Sequence, residues 1–228
     1  MFDKLRRQVK KTVKSVVRDT AEDTAERETR KVVSKAEREA KDSMEKAAAE
    51  QYRGMKVQKK ITGTMITDFD KFKKSWEKKA SDPAQSVFHL LIAAYNYCKD
   101  PEIGGPMATV VLSKKHNQKD SSSPSGFKLG STNKAMFKHM WEDINIVKSY
   151  LGGTYKKDYK NFNEKKLSMS LLTFDSDGKY GKVVIQSGGK DFPTPVGVGK
   201  NKNGQWKILE FSSIATGCRK PASVEDDF

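Results

Sequence analysis

Leu167-Ser168-Met169-Ser170-Leu171-Leu172-Thr173 decides the class of fold. Leu167, Met169, Leu171 and Thr173 recur at every second position with serines between them, the spacing of a strand with one face on a core. Downstream, Asp175-Ser176-Asp177-Gly178 predicts a turn and Val183-Val184-Ile185 a second strand. Val196 and Val198 mark a third; Trp206, Ile208, Leu209 and Phe211 mark a fourth. Asn201-Lys202-Asn203-Gly204 between the last two ends in Asn-Gly, the favoured hairpin pair. Connections this short make successive strands antiparallel neighbours, so the last third reads as a four-stranded meander.

Upstream, the period changes to that of a helix. Phe69, Phe72 and Trp76 predict one over 69–79. Ser81 or Asp82 followed by Pro83 is a start signal. The run from Val87 to Tyr95 is apolar almost all round, as in a buried central helix. Asp100-Pro101 and Gly104-Gly105 read as its end. Short helices follow over about 106–113 and about 132–143, the second with Met136, Phe137, Met140 and Trp141 inward. Residues 56–67 read as a strand or as a loop across the core. Residues 114–130 read as an exposed, mobile loop, since Lys114 to Gly126 includes no apolar side chain. Helices first and meander second predict an α+β domain over 54–221, cone-like, with a loose acidic tail at 222–228.

The chain has 228 residues, of which 36% are hydrophobic and 32% charged, with a net charge of +15. That balance suits a polar extension attached to an ordinary domain. No apolar run reaches the ~20 residues of a membrane span. Cys98 and Cys218 make no disulfide framework and no redox pair. Without an apolar leader sequence, a reducing, cytoplasmic compartment is the expectation.

Residues 1–53 contain neither Pro nor Gly and predict a helical arm. At 100° per residue, Phe2, Leu5, Val9, Val13 and Val16 fall in one narrow arc. Lys4, Arg6, Arg7, Lys10, Lys11, Lys14 and Arg18 occupy the rest against Asp3 alone, so residues 1–18 hold +6. Asp19, Asp23, Glu26 and Arg30 break the heptad frame, which argues against a sustained coiled coil. A basic amphipathic helix fits an acidic protein groove, the first expected partner, or an anionic lipid surface, the second. Nucleic acid is a third. The competing account is a solvated helix packed on its own domain.

Three further segments look specific: Lys148-Ser149-Tyr150-Leu151-Gly152-Gly153-Thr154-Tyr155, then Gln186-Ser187-Gly188-Gly189-Lys190-Asp191-Phe192-Pro193-Thr194-Pro195-Val196, then Gly204-Gln205-Trp206 through Gly217-Cys218-Arg219-Lys220-Pro221. Together they resemble an uncharacterised, bacterial-type domain family of unknown function. Its pattern is Ser-Tyr-aromatic-Gly, Ser-Gly-Gly-x-Asp-x-Pro-x-Pro and a Trp-containing strand leading to an Arg. The resemblance covers roughly 82–221 and is strongest over 149–221. This chain has Leu151 at the aromatic position and Thr194 where many members have Arg. The resemblance implies domain boundaries and carries no activity.

Ser187, Gly188, Gly189 and Asp191 have two readings. The favoured one is a strand connection with Asp191 capping its own backbone. The alternative is an anion or ligand nest built from glycine N–H groups. Tyr155-Lys156-Lys157-Asp158-Tyr159-Lys160-Asn161-Phe162 is basic and aromatic, a pattern that binds single-stranded nucleic acid or merely anchors a solvated loop. His89 reads as a core or rim histidine. No metal-ligand, nucleophile or cofactor motif occurs, so no cofactor is expected. The leading expectation is a non-enzymatic binding or assembly module. The alternatives are a small-molecule or enzymatic pocket between sheet and helices, and nucleic-acid binding.

Overall fold

Within the stretch 56–67, residues Lys59–Gly63 form a strand, which pairs with the first strand of the meander and adds a fifth member to the sheet. The computed structural model describes residues 50, 52 and 54–225. The arm expected over 1–53 lies outside them apart from Glu50 and Tyr52, and so do all the candidate contacts from Phe2 to Arg18. β1 (Lys59–Gly63) precedes α1 (Phe69–Lys79), α2 (Pro83–Lys99) and α3 (Pro101–Val111). A hairpin of β2 (Asn117–Lys119) and β3 (Phe127–Leu129) leads to α4 (Ser131–Glu142) and α5 (Asn145–Tyr150). β4 (Leu167–Ser176), β5 (Tyr180–Gln186), β6 (Thr194–Lys200) and β7 (Trp206–Glu210) follow, closed by α6 (Ser212–Ala215) and α7 (Ala222–Glu225). Among the described residues this is an α+β fold with seven α-helices and a five-stranded antiparallel sheet of order β1-β4-β5-β6-β7.

Local chemistry accounts for the helix starts. Asp68 accepts from Lys71 N at 2.8 Å and opens α1. Asp82 accepts from Ala84 N at 2.9 Å, with Pro83 as the first residue of α2. Asp100 ends α2 and also caps α3, accepting from Glu102 N at 2.9 Å. The expected helix over about 106–113 therefore begins earlier, at Pro101. The Gly104-Gly105 pair does not break it, because Asp100-Pro101 is a complete start signal. Gly104 has a packing reason: a Cβ there would lie 2.0 Å from Tyr97 N on α2.

The core forms where α2 meets the sheet. Val87, Phe88, Leu90, Leu91 and Ile92 are all buried, and they share one cluster with Leu167, Met169, Ile185, Val198 and Ile208. Polar groups on this helix are satisfied inside. Ser86 Oγ donates to Trp206 O at 2.7 Å and accepts from Trp76 Nε1 at 3.2 Å. Asn96 Nδ2 donates to Ile66 O and Ile92 O. His89 is 1% exposed and lies between Gln85 O, 2.7 Å from Nδ1, and Ser75 Oγ, 3.0 Å from Nε2. A carbonyl only accepts, so Nδ1 carries the proton and Nε2 accepts from the serine.

Three expectations change. Residues 114–130 are not an irregular loop: the β2–β3 hairpin sits beside α3, with Asn117 Nδ2 donating to Thr109 O and Ser125 Oγ 2.7 Å from Thr109 Oγ1. Polar side chains build β2 and the turn, and only Phe127 and Leu129 of β3 are apolar, too few to mark a strand pair by pattern. Trp141, expected inward, is 52% exposed, while Phe137 and Met140 carry the buried face of α4. Leu172 on β4 alternates away from the main core and joins Val184 and Tyr52 in a second small cluster, and a bulge between Leu171 and Thr173 places Thr173, expected inward, opposite Val184.

Adjacent glycines on α3 give opposite expectations. Gly104→Ala is overpacked against α2 backbone and is expected to destabilise by about 2–3 kcal/mol. Gly105→Ala meets nothing within 4 Å and is expected to stabilise by about 0.5–1 kcal/mol. Urea unfolding of the two variants checks both signs. His89 supplies a second expectation. Burial lowers its folded-state pKa from 6.5 to about 4. The unfolded chain takes up the proton first, so stability is complete above about 6.5 and falls as the pH drops towards about 4. The urea midpoint should fall across that window, and His89→Gln, though less stable overall, should show a flatter dependence.

Candidate functional site

The three specific segments converge beside the end of β5. Ser149 and Tyr150 close α5, Ser187-Gly188-Gly189 leaves β5, and Cys218-Arg219 follows α6. A hydrogen-bond relay runs through them. Gly189 N donates to Ser187 Oγ at 2.9 Å, Ser187 Oγ donates to Ser149 Oγ at 2.7 Å, and Ser149 Oγ donates to Ile146 O at 2.6 Å. Gly188 N donates to Ser149 O at 2.7 Å, and Gly188 O accepts from Tyr155 N at 3.1 Å. Both glycine N–H groups proposed for an anion nest thus have internal acceptors.

Close approach explains the two glycines better than unusual φ. A Cβ at Gly188 would sit 2.2 Å from Gly153 O, and one at Gly189 would sit 2.4 Å from Tyr159 Oη. Tyr159 is buried, and its hydroxyl donates to Arg219 O at 2.6 Å. It reaches that position through consecutive left-handed residues, Asp158 at φ 50° and Tyr159 at φ 58°, a strained corner for non-glycine residues. Arg219 N returns to Gly189 O at 2.8 Å, which closes the loop of contacts.

The Arg219 side chain lies on the surface of this knot. Its guanidinium donates to Tyr155 Oη at 2.7 Å and to Asp191 Oδ2 at 2.6 Å, and it stacks 4.8 Å over the Tyr155 ring. Asp191 is therefore Arg219's partner here, and Phe192 beside it is 50% exposed. Lys190 Nζ donates to Ser213 O at 2.7 Å and Thr216 Oγ1 at 2.8 Å, tying α6 to the same strand end. Tyr150 Oη lies 2.7 Å from Thr194 Oγ1 in the interior.

The titratable groups nearby are poor nucleophiles. Burial pushes the Cys98 thiol up to about 12 and the Cys218 thiol up to about 11. Cys98 Sγ donates to Met140 O, and Cys218 Sγ contacts Asp143 Oδ2 at 3.6 Å. Among the described residues no group of His, Cys, Asp and Glu is arranged to hold a metal ion. The rings of the basic-aromatic segment are engaged within the domain: Phe162 packs on Tyr95 at 4.8 Å between centroids, and Tyr159 is in the knot. Ser223 N donates to Asp158 Oδ1, so the expected tail begins as the short helix α7 on the same corner.

Sequence reading missed one feature, a lysine-lined groove on another part of the sheet. Lys114, Lys179, Lys200, Lys202 and Lys207 border it together with Tyr180. These lysines are spread over almost a hundred residues of chain, so no local charge run points to them.

Comparison with known proteins gives one match. The family model described as "Domain of unknown function (DUF6935)" matches residues 65–222. No curated protein and no solved structure matches the chain. The matched span contains the whole knot. Ser187→Ala removes the acceptor for Gly189 N and the donor to Ser149, and is expected to destabilise by about 1–3 kcal/mol in urea unfolding.

Proposed function

The chain belongs to the DUF6935 family, and from that premise we propose that it is a non-enzymatic binding or assembly module. Its N-terminal segment docks on an acidic protein surface, and the α+β domain is the body that it carries. The observation that supports this reading is the charge and apolar pattern of residues 1–18. Phe2, Leu5, Val9, Val13 and Val16 supply a one-sided apolar contact, and seven basic residues stand against one acid. Apolar burial gives such a contact its strength, and the cations attract an acidic partner and orient it. An anionic lipid surface is the second reading, favoured by the same helix pattern.

The domain supports the reading through its own chemistry. Ser149, Ser187, Asp191 and Arg219 bond to one another or to backbone. Both thiols are held protonated by burial, and the buried His89 is held neutral. These are the properties of a rigid support rather than of an acid–base pair poised near neutral pH.

The test compares the full chain with a variant carrying Lys4→Glu, Arg7→Glu, Lys11→Glu and Lys14→Glu. Affinity isolation is expected to lose its acidic protein partners, with the thermal transition of the domain unchanged. Retention of every partner by the variant would overturn the reading. Loss of sedimentation with anionic vesicles, with protein partners retained, would replace the protein surface by lipid.

A further inference from the structure

We propose that the groove at the open ends of β5, β6 and β7 binds a nucleotide-sized ligand carrying two or three linked phosphates. The site is separate from the N-terminal attachment proposed above and does not rest on it.

The groove is built by register. Tyr180 on β5 pairs with Gly199 on β6, and Gly199 pairs with Lys207 on β7, so the three lie in one row across the sheet. The glycine leaves the middle of that row without a side chain. A Cβ there would stand 2.8 Å from Leu209 Cδ1 and 3.4 Å from Tyr180 Cδ1. The turn from Asn201 to Gly204 brings Lys200 and Lys202 to the border, and the β4–β5 turn brings Lys179. Lys114 arrives from the helical half of the chain: Ser113 N donates to Ile208 O at 2.9 Å, and Leu112 bridges to Ile208, which fixes this segment beside β7. The resulting space is about 440 Å³, within the ordinary range of small-ligand sites.

No Asp or Glu is among the described residues that line the groove. Four of the five ammonium groups lie over aromatic rings: Lys114 over Phe127, Lys179 over Tyr180, Lys200 over Trp206 and Lys207 over Trp76. A ring face attracts a cation and leaves its charge and most of its donors in place. The carboxylate of Asp177, on the adjoining turn, accepts from Lys179 N and Tyr180 N.

Lys207 is the fixed member. Its Nζ sits 3.9 Å over the Trp76 ring and donates to Val110 O. Burial, reinforced by Lys114 and opposed by Glu77, brings its pKa down to about 8.

Linked phosphates match this arrangement better than one carboxylate or a single phosphate does. Five positive charges around one small space need more than one negative charge to offset them. Lysines act as point charges on flexible stems and suit a phosphate chain, whereas planar carboxylate recognition is the province of arginine. Tyr180 is 52% exposed at the rim and offers a ring on which a base can rest.

The test is calorimetric titration of the full chain with tripolyphosphate and with ATP at low ionic strength. Saturable binding of one or both is expected at one site per chain. Lys114→Gln combined with Lys202→Gln, both at exposed positions, should weaken binding roughly tenfold or more. Lys165→Gln combined with Lys166→Gln removes the same charge at the far end of β4 and should leave affinity unchanged. Tyr180→Ala separates the sources. Weaker ATP binding with tripolyphosphate unaffected identifies a nucleotide; equal behaviour identifies a bare phosphate chain. Absence of saturable binding, equal losses in the two lysine pairs, or saturable binding of a single-stranded oligonucleotide alone would overturn the proposal. Thermal unfolding of each variant establishes that it is folded.

Discussion

Burial of the helix Pro83–Lys99 against the sheet is the constraint on which the rest of the domain depends. This helix is covered on nearly all sides, so every polar group it takes inside must find a partner there. Ser86, His89 and Asn96 do so with groups from different parts of the chain: the last strand, the first helix, and the connection ahead of that helix. Each bond fixes one neighbouring element. The helix is thus both the apolar core and the reference to which strand ends and loops are set.

A second, smaller knot holds the opposite end of the polypeptide. The serine relay, the two closely packed glycines and the Tyr159 hydroxyl join segments separated by up to about seventy residues. None of these groups is strongly stabilising in isolation, since a typical hydrogen bond contributes only about 1 kcal/mol net. Together they are hard to remove singly, because each is buried and each loss strands a partner. The strained corner at Asp158 and Tyr159 is offset by the same contacts. The knot therefore reads as a lock on the C-terminal segment, and Arg219 with Asp191 is its exposed face.

The two proposed binding regions use charge differently. In the sequence of residues 1–18, seven cations accompany Phe2, Leu5, Val9, Val13 and Val16, the combination proposed above to suit a macromolecular surface. In the groove, five lysines surround a small space floored by a glycine, which suits a compact anion. The net charge of +15 draws on both. It is a summed property, and it does not by itself separate a diffuse basic face from a built site.

The sequence alone determined the α+β class, the helices over 69–79 and 83–99 and the four successive strands, because local periodicity and capping carry that information. The three segments that form the knot are marked by their resemblance to a domain family of unknown function. The sequence did not determine that residues 59–63 join the sheet, that Trp141 faces outward, or that residues 117–129 form a hairpin. Those depend on which neighbour covers a given face. Nor did it determine the lysine groove, since Lys114 and Lys207 become neighbours only through the pairing of Leu112 and Ser113 with Ile208. Periodicity is a property of a few consecutive residues. Proximity between distant ones is decided by packing, and only the tertiary structure holds it.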